Sequence, residues 1–219
     1  MTSNKNRSKA RPTVNVYVDG FNLYYGCLKG TKYKWLNIDQ LFRTLLPRHE
    51  IRRIRYFTAR ISARPDKPDS PTRQDAYLRA LKTLPNVSIH MGKFLQSSVR
   101  MPLAHPRPGR KTVEVIKTEE KGSDVNLATY LLIDAFRGDS DFAVVVSNDS
   151  DLCEPIRLAH KEYKVPVGLL CPHKRTSYAL SKLNPAFIKV IRPGPLSASQ
   201  FPAIVKDGRG RKIHKPTSW

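Results

Sequence analysis

The segment Thr13-Val-Asn-Val-Tyr-Val18 decides the fold of this chain, and Asp19 and Gly20 follow it directly. Its residues are mostly β-branched, and its length is that of a strand. An Asp-Gly pair is typical of the turn that closes such a segment. The sequence therefore predicts a first β-strand that ends at Asp19.

The chain beyond this strand alternates between helix-like and strand-like segments. Residues 37–46 place apolar side chains from Ile38 to Leu45 at helical spacing, and Pro47 stops the helix. Strands that alternate with helices indicate βαβ units, so the sequence predicts an α/β domain whose mainly parallel sheet is covered on both faces. Further helices are predicted before Pro85, at 123–136 and at 152–163, and further strands at 54–59, 86–90, 112–117, 142–147, 165–170 and 186–191.

Residues 92–110 interrupt this alternation. The segment contains Pro102, Pro106, Pro108, Gly92 and Gly109, which are typical of turns and irregular backbone. We expect a loop or an irregular hairpin there, and it could face a substrate.

The charge of the chain indicates its partner. The 219 residues include 39 Lys and Arg against 18 Asp and Glu, which gives a formal net charge of +21. Such a charge attracts polyanions, and counterion release from a phosphate backbone supplies binding free energy, so we expect nucleic acid as the partner. The length favours one large domain. We assign it residues 13–193, with a basic N-terminal tail at 1–12 and a basic C-terminal tail at 194–219, although both tails could simply be solvated termini.

Basic residues also cluster within the domain, from Arg52 to Arg64 and from Arg100 to Lys111. Side chains of this kind can neutralise backbone phosphates. For any single lysine, a solvated surface position is the alternative. The candidate contacts to nucleic acid are Arg60, Arg64, Arg107, Arg110, Lys111 and Lys121.

The sequence disfavours both a membrane protein and a protein held together by disulfide bonds. The longest apolar runs are of strand length, well short of the roughly 20 residues of a membrane span. The N-terminus has no apolar segment after its basic residues, so we predict a cytoplasmic protein with no membrane partner. The three cysteines form no C-x-x-C pair, which indicates free thiols. A zinc site would require Cys153, His160, Cys171 and His173, whose spacing matches no common pattern.

Acidic residues follow two of the predicted strands. Asp19 follows the first strand, while Asp149 and Asp151 follow the strand that ends at Ser147. The carboxyl ends of parallel strands share one edge of the sheet, where ligands bind near the point of strand-order reversal. We therefore expect these aspartates to meet across that crevice, although Asp-Gly and Asp-Ser turns are common.

Asp124 opens the predicted helix 123–136. At about 100° per residue, the apolar side chains of this helix lie on the same side as Asp124, which predicts an inward-facing carboxylate. Asn126, Thr129 and Tyr130 are expected to point outward. The alternative for Asp124 is a capping role at the helix N-terminus.

Four clustered carboxylates repel one another unless a divalent cation neutralises them, and oxygen ligands suit Mg²⁺ or Mn²⁺. Two such ions about 3.5–4 Å apart can promote phosphodiester hydrolysis. A nuclease of this kind needs carboxylates that hold the metal ion and basic side chains that hold the phosphate backbone. Phosphate-loop, haloacid-dehalogenase and G-x-S-x-G chemistries lack their required residues in this chain.

Three motifs that carry these acids resemble the signature motifs of bacterial NYN-domain proteins, which belong to the PIN-like nuclease superfamily. They occur in the family's order, and the resemblance covers roughly residues 13–193. It implies a PIN-like three-layer α/β/α sandwich with a central, mainly parallel sheet, and metal-dependent RNA cleavage. The motifs are Val18-Asp-Gly-Phe-Asn22, Glu120-Lys-Gly-Ser-Asp-Val-Asn126 and Ser147-Asn-Asp-Ser-Asp151.

The resemblance also implies residue roles. Asn22 would orient the first aspartate, unless it is only a turn residue. Glu120 is a further acid near this set, although a solvated position near a helix start explains it as well. Ser147 and Asn148 could orient the pocket by hydrogen bonds or simply end the strand. The implied metal ligands, which form the catalytic set together with Asn22, are Asp19, Asp124, Asp149 and Asp151.

The leading hypothesis from the sequence is a Mg²⁺- or Mn²⁺-dependent ribonuclease. A non-catalytic nucleic-acid-binding or regulatory module that retains the fold is the first alternative, and a phosphatase or nucleotide hydrolase is the second. The complete acidic set favours catalysis, because a pure binder gains nothing from negative charge beside phosphates.

Overall fold

A computed structural model describes residues 10–63 and 65–219 of the chain, apart from the side chain of Arg110. No helix within these residues is long and apolar enough to cross a membrane. The strands are β1 (Thr13–Asp19), β2 (Glu50–Ala59), β3 (Val87–Arg107), β4 (Arg110–Lys121), β5 (Phe142–Val146), β6 (Val167–Cys171), β7 (Phe187–Val190), β8 (Ile204–Lys206) and β9 (Lys212–His214). The helices are α1 (Gly20–Leu23), which continues into a π-helical turn at Tyr24–Leu28, α2 (Ile38–Leu45), α3 (Ser70–Leu81), α4 (Ser123–Phe136), α5 (Cys153–Lys161), α6 (Tyr178–Ser181) and α7 (Pro193–Ala198).

Seven strands form one sheet in the order β4-β3-β2-β1-β5-β6-β7. Every neighbouring pair is parallel except β3 and β4, which are antiparallel. The first strand is central, and Val18 pairs with Tyr56 of β2 on one side and with Val146 of β5 on the other. Strand order therefore reverses between β1 and β5, and Asp19 ends the strand at this reversal point.

Helices cover both faces of the sheet. Val14, Val16 and Val18 of β1 pack in one core with residues of α2 and α3. Tyr17 points to the opposite core, which contains residues of α4 and α5. The alternation along β1 follows from the two-residue period of a strand. The predicted three-layer α/β architecture is confirmed.

Most of the predicted elements are present. The helix predicted at 123–136 has the same bounds as α4, and the strand predicted at 142–147 corresponds to β5. The sequence did not predict the short helices α1, α6 and α7 or the hairpin of β8 and β9. Short elements of this kind carry too few periodic positions to produce a pattern.

The segment 92–110 is more regular than predicted. The start of β3 pairs with β2 as far as Ala59 and Gly92, and from Lys93 onward β3 pairs with β4 instead. Residues 93–121 thus form a two-stranded arm that continues beyond the carboxyl edge of the sheet, and we call it the hairpin arm. The ladder is irregular between Pro102 and Arg107, where the prolines cannot donate hydrogen bonds.

The segment predicted as a C-terminal tail packs against the domain. Phe201, Val205 and Ile213 are buried in the same core as α2 and α3. The indole Nε1 of Trp35 donates a hydrogen bond to the carbonyl of Pro202 at 2.8 Å, and the Trp219 ring lies 6.3 Å from the Trp35 ring. Residues 194–219 are therefore packed and do not form a loose extension. Of the predicted N-terminal tail, residues 1–9 lie outside the described part of the chain.

Part of the basic stretch 52–64 is used inside the protein. The guanidinium of Arg55 donates two hydrogen bonds to Asp134, at 2.7 and 2.8 Å, and stacks over the ring of Tyr130 at 4.4 Å. Arg53 binds Asp139 at 2.6 Å. These arginines therefore stabilise the fold and are not free for a polyanion. The prediction that Tyr130 points outward is wrong, because this ring covers the buried arginine.

Candidate active site at the carboxyl edge of the sheet

Asp19 is held rigidly at the end of β1. Its side chain accepts a hydrogen bond from the backbone N–H of Asn22 at 2.9 Å and one from the Ser147 hydroxyl at 3.0 Å, and only 6% of the residue is exposed. A Cβ at Gly20 would lie 2.7 Å from the Phe57 carbonyl, so the backbone here requires glycine. The Asp-Gly pair thus places a nearly buried carboxylate at the reversal point of the sheet.

Asn22 joins the loops that follow three strands. Its side-chain oxygen accepts a hydrogen bond from the backbone N–H of Asn148 at 3.0 Å. Asn148 in turn accepts from the N–H of Ser177 at 2.7 Å and donates to the carbonyl of Arg175 at 3.1 Å. The Asn22 side chain therefore positions the loop after β5, while its backbone N–H binds Asp19, and the orienting role of Asn22 stays a prediction.

Ser147 connects the aspartates that follow β1 and β5. Its hydroxyl donates to Asp19 and also accepts a hydrogen bond from the backbone N–H of Asp149 at 3.1 Å. The Asp149 carboxylate caps the turn at 150–152 by accepting from the N–H of Asp151 at 3.0 Å. A single hydroxyl thus fixes the relative positions of the two strand ends.

Glu120 occupies the position of a helix cap beside α4. Its carboxylate accepts hydrogen bonds from the Ser123 hydroxyl at 2.8 Å and from the Ser123 N–H at 3.2 Å. Gly122 precedes the helix with a φ of 100°, a left-handed conformation that favours glycine. Asp124 is half-buried, and no donor among the described residues makes a hydrogen bond to its carboxylate. Glu120 therefore makes the side-chain capping bonds at this helix start, while Asp124 lies in the first turn of the helix, where its charge interacts favourably with the helix dipole.

The acids lie close enough to influence one another. Burial, followed by the charges of Asp19, Asp149, Glu120 and Asp151, raises the pKa of Asp124 to about 6. Burial is also the main cause that raises the pKa of Asp19, and the charge of Asp149 adds to it. Asp124 therefore lies within electrostatic range of the other four predicted acids.

The donor set suits a hydrated divalent cation. Within residues 10–63 and 65–219, no three His, Cys, Asp or Glu side chains lie together closely enough to complete a metal site alone. Magnesium commonly uses one or two carboxylates, keeps several waters and takes further oxygens from a phosphate. One or two of Asp19, Asp124 and Asp149, with water at the remaining positions, are the candidate ligands of such an ion.

The predicted nucleic-acid contacts do not converge on the acids as a group. Arg60 binds Asp75 at 3.1 Å, and Lys121 lies 3.6 Å from Glu119. Arg107 and Lys111 are exposed near the tip of the hairpin arm. Arg64 and the side chain of Arg110 lie outside the described part of the structure.

One contact near the site was not predicted from the sequence. The ring of Phe21, two residues after Asp19, packs edge-on against Phe94 at a centroid distance of 5.6 Å. This contact joins α1 to the base of the hairpin arm. A phenylalanine in a loop and another in a Pro-rich segment carry no periodic signal, so only the fold reveals the pair.

Residues 13–191 match the family model of the NYN domain. Over 236 aligned residues, the chain is 33% identical to 6-hydroxy-3-succinoylpyridine 3-monooxygenase HspA of Pseudomonas putida (strain DSM 28022 / S16), an alignment that covers 93% of this chain and 74% of that protein. The crystal structure of a protein of unknown function from Vibrio parahaemolyticus is similar with a TM-score of 0.54 and 18% identity, covering 85% of this chain and 97% of the other. At that identity the structural likeness concerns the fold alone.

Proposed function

Because this chain belongs to the NYN domain family, whose fold is that of a nuclease-like superfamily, we propose that it is a ribonuclease dependent on Mg²⁺ or Mn²⁺. The reaction would hydrolyse phosphodiester bonds of RNA at the carboxyl edge of the sheet. One observation carries the proposal: the Ser147 hydroxyl binds Asp19 and the backbone of Asp149 at once, so acids from two strand ends face the same crevice.

Each acid has a distinct part in this proposal. Asp19, Asp124 and Asp149 would hold the ion, with Asp151 and Glu120 adding negative charge nearby. A bound divalent cation would supply the positive charge that activates water and stabilises the leaving oxygen. Asn22 and Ser147 would keep Asp19 and Asp149 in position, which lowers the cost of bringing charge together during the reaction.

The substrate class follows from the charge of the chain. Its net charge is +21, although the buried pair of Arg55 and Asp134 shows that not every arginine is available. The exposed cations near the tip of the hairpin arm, which include Arg107 and Lys111, would hold a part of the RNA backbone that lies away from the acids. Their contribution should weaken as salt rises, because it depends on counterion release.

The test measures cleavage of labelled RNA by the purified protein in Mn²⁺ and in EDTA. We expect cleavage in Mn²⁺ alone and a loss of at least about 100-fold in Asp149→Asn, since the oxygens of a carboxylate ligand hold charge that an amide does not. Asp66→Asn is the matched control, because Asp66 is an exposed acid whose side chain is 67% accessible.

Two results would contradict this function. One is RNA left intact in both Mg²⁺ and Mn²⁺ by a protein that remains folded, and the other is Asp149→Asn cleaving as fast as the wild type. RNA binding that falls with salt and ignores both EDTA and the aspartates would instead indicate a non-catalytic binding module.

The relative at 33% identity supports a second candidate. Its name describes a monooxygenase that acts on 6-hydroxy-3-succinoylpyridine, so this chain would oxidise a related substituted pyridine. The test supplies that compound with oxygen, a reduced nicotinamide and a flavin, and measures oxygen uptake with and without the pyridine. Uptake that depends on the pyridine would favour this candidate, and its absence together with RNA cleavage would favour the first.

A further inference from the structure

A cavity of about 510 Å³ lies beside the start of α1. Gly20 and Phe21, which follow Asp19 directly, line one side of it, and residues of α3 line another. Gln74 of α3 fixes the wall between them, because its amide donates to the carbonyl of Ala59 at 2.8 Å and accepts from the N–H of Ile61 at 3.0 Å. The volume falls in the range of roughly 300–1,000 Å³ that is typical of small-ligand pockets.

Aromatic rings form much of the lining. Tyr24 and Tyr25 meet edge to face at 5.3 Å in the π-helical turn, and Tyr25 is 55% exposed. Trp219 lies 6.0 Å from Tyr77 on another part of the wall. Rings that remain exposed at the rim of a cavity offer flat faces on which a planar ligand can stack.

The charged side chains that line the cavity are basic. They include Lys29, Lys34, Lys67 and Arg73, and no Asp or Glu belongs to the lining among the described residues. Lys29 lies over the Tyr25 ring at 4.9 Å, and Lys34 lies 5.9 Å from the Trp219 ring. Burial and the charge of Arg73 lower the pKa of Lys34, so these two cations repel each other. An anionic group between them would remove that repulsion.

Arg73 is already positioned for such a group. It donates a hydrogen bond to the Ser70 hydroxyl at 3.0 Å, and the exposed carboxylate of Asp69 lies 3.8 Å away. An ion pair at that distance on the surface is weak, so Asp69 does not hold Arg73 firmly. The guanidinium therefore keeps donors available for a phosphate, which it can bind through two parallel hydrogen bonds.

We propose that this cavity binds one nucleotide of the RNA substrate, with its base stacked on the tyrosine and tryptophan rings and its phosphate held by Lys34 and Arg73. The identity of the ligand as RNA rests on the proposed nuclease function. The pocket and the acids are neighbours along the chain, because Asp19 ends β1 and Gly20 begins the pocket lining. A strand of RNA could therefore occupy both at once.

The experiment measures binding of adenosine 5′-monophosphate in EDTA, so that cleavage plays no part. We expect it to bind more tightly than ribose 5-phosphate or adenosine alone, because each fragment lacks one half of the proposed contacts. Tyr25→Ala and Lys34→Gln should each weaken binding by about fivefold or more. Tyr178→Ala and Lys161→Gln are the controls, since Tyr178 is a surface ring that is 74% exposed and neither residue lines this cavity.

A second experiment tests whether the pocket binds a nucleotide that is part of an RNA strand. A short RNA added to Asp149→Asn protein should displace the bound monophosphate, whereas benzoate, an aromatic anion without ribose, should not. Displacement by benzoate alone would overturn the RNA assignment. Equal affinities for adenosine 5′-monophosphate and ribose 5-phosphate, or unchanged binding in both pocket variants, would overturn the pocket itself.

These results separate the pocket from the nuclease. Cleavage of RNA without any monophosphate binding would leave the proposed function intact and end the pocket proposal. Suppose instead that the protein binds the monophosphate, that both pocket variants lose this binding, and that the protein never cleaves RNA. This result would support the pocket and contradict the nuclease function.

Discussion

Two buried aspartates of this domain have opposite electrostatic surroundings. Asp134 is 2% exposed and receives the bidentate Arg55, the hydroxyl of Tyr17 at 2.9 Å and a more distant contact to Arg53 at 3.7 Å. Asp19 is 6% exposed, yet within the described residues it receives hydrogen bonds only from a hydroxyl and from backbone N–H groups, and the negative charge of Asp149 acts on it. A carboxylate paired with arginine has its charge compensated inside the fold, whereas one left beside other carboxylates suits the cation that we propose.

The largest effect that this comparison predicts is on stability at Asp134. Asp134→Ala should lower the free energy of unfolding by about 3–5 kcal/mol, because it leaves the buried Arg55 without its partner. Denaturant unfolding measures the change. Replacing both partners, as Asp134→Leu with Arg55→Met, should recover most of the loss, since an apolar pair needs no compensation. A loss that persists in the double variant would show that the contacts of Tyr17 and Arg53, and not the ion pair, dominate.

Asp19 should behave in the opposite way. Asp19→Asn keeps an acceptor for Asn22 and Ser147 and removes a charge that repels its neighbours, so the free energy of unfolding should change by less than about 1 kcal/mol. RNA cleavage in Mn²⁺ should fall by more than the roughly 10–100-fold that is typical of residues that only position a ligand. Stability that collapses along with activity would mean that Asp19 is structural in the manner of Asp134.

Ser147 tests whether position matters in addition to charge. Ser147→Ala removes the hydroxyl that binds both Asp19 and the backbone of Asp149, and we expect RNA cleavage to fall by about 10–100-fold. Raising the Mn²⁺ concentration should restore part of the rate, because the acids remain present but are less well placed. Ser181→Ala is the control, since that hydroxyl only bonds within its own helix, to the carbonyl of Tyr178. Full activity at low Mn²⁺ in Ser147→Ala would contradict a positioning role.

The sequence predicted an acid at the position of Asp19, but it did not predict the partners of Asp134. Strand ends are recognisable because β-branched residues precede an Asp-Gly turn, and parallel strands necessarily bring such ends together. Asp134 and Tyr130 lie on a helix whose periodicity shows where apolar residues point, and it cannot show that an arginine from β2 enters the same core. Long-range pairs of this kind depend on packing, so they become visible only in the fold.

The regular strand pairing of the hairpin arm was also not predictable from the sequence. Prolines and glycines between Gly92 and Arg110 indicate irregular backbone, yet β3 continues through Pro102 in register with β4. A two-stranded arm leaves the outer edge of each strand in water, where a missing N–H costs little. The sequence therefore located the excursion correctly and underestimated its regularity. The packing of Trp219 against Trp35 was equally unpredictable, because it joins residues far apart in the chain.

The smallest predicted effect concerns an arginine of the arm, which completes the contrast with Arg55. Arg107 is exposed and makes no ion pair with any described residue, so Arg107→Ala should leave the free energy of unfolding unchanged within about 0.5 kcal/mol. If it neutralises one phosphate, the dependence of log K on log salt for RNA binding should become shallower by about one unit. Lys212→Ala is the control, an exposed cation in β9 away from the arm. An unchanged slope in Arg107→Ala would remove this side chain from the RNA surface, and the positive charge that holds RNA would then have to lie nearer the acids.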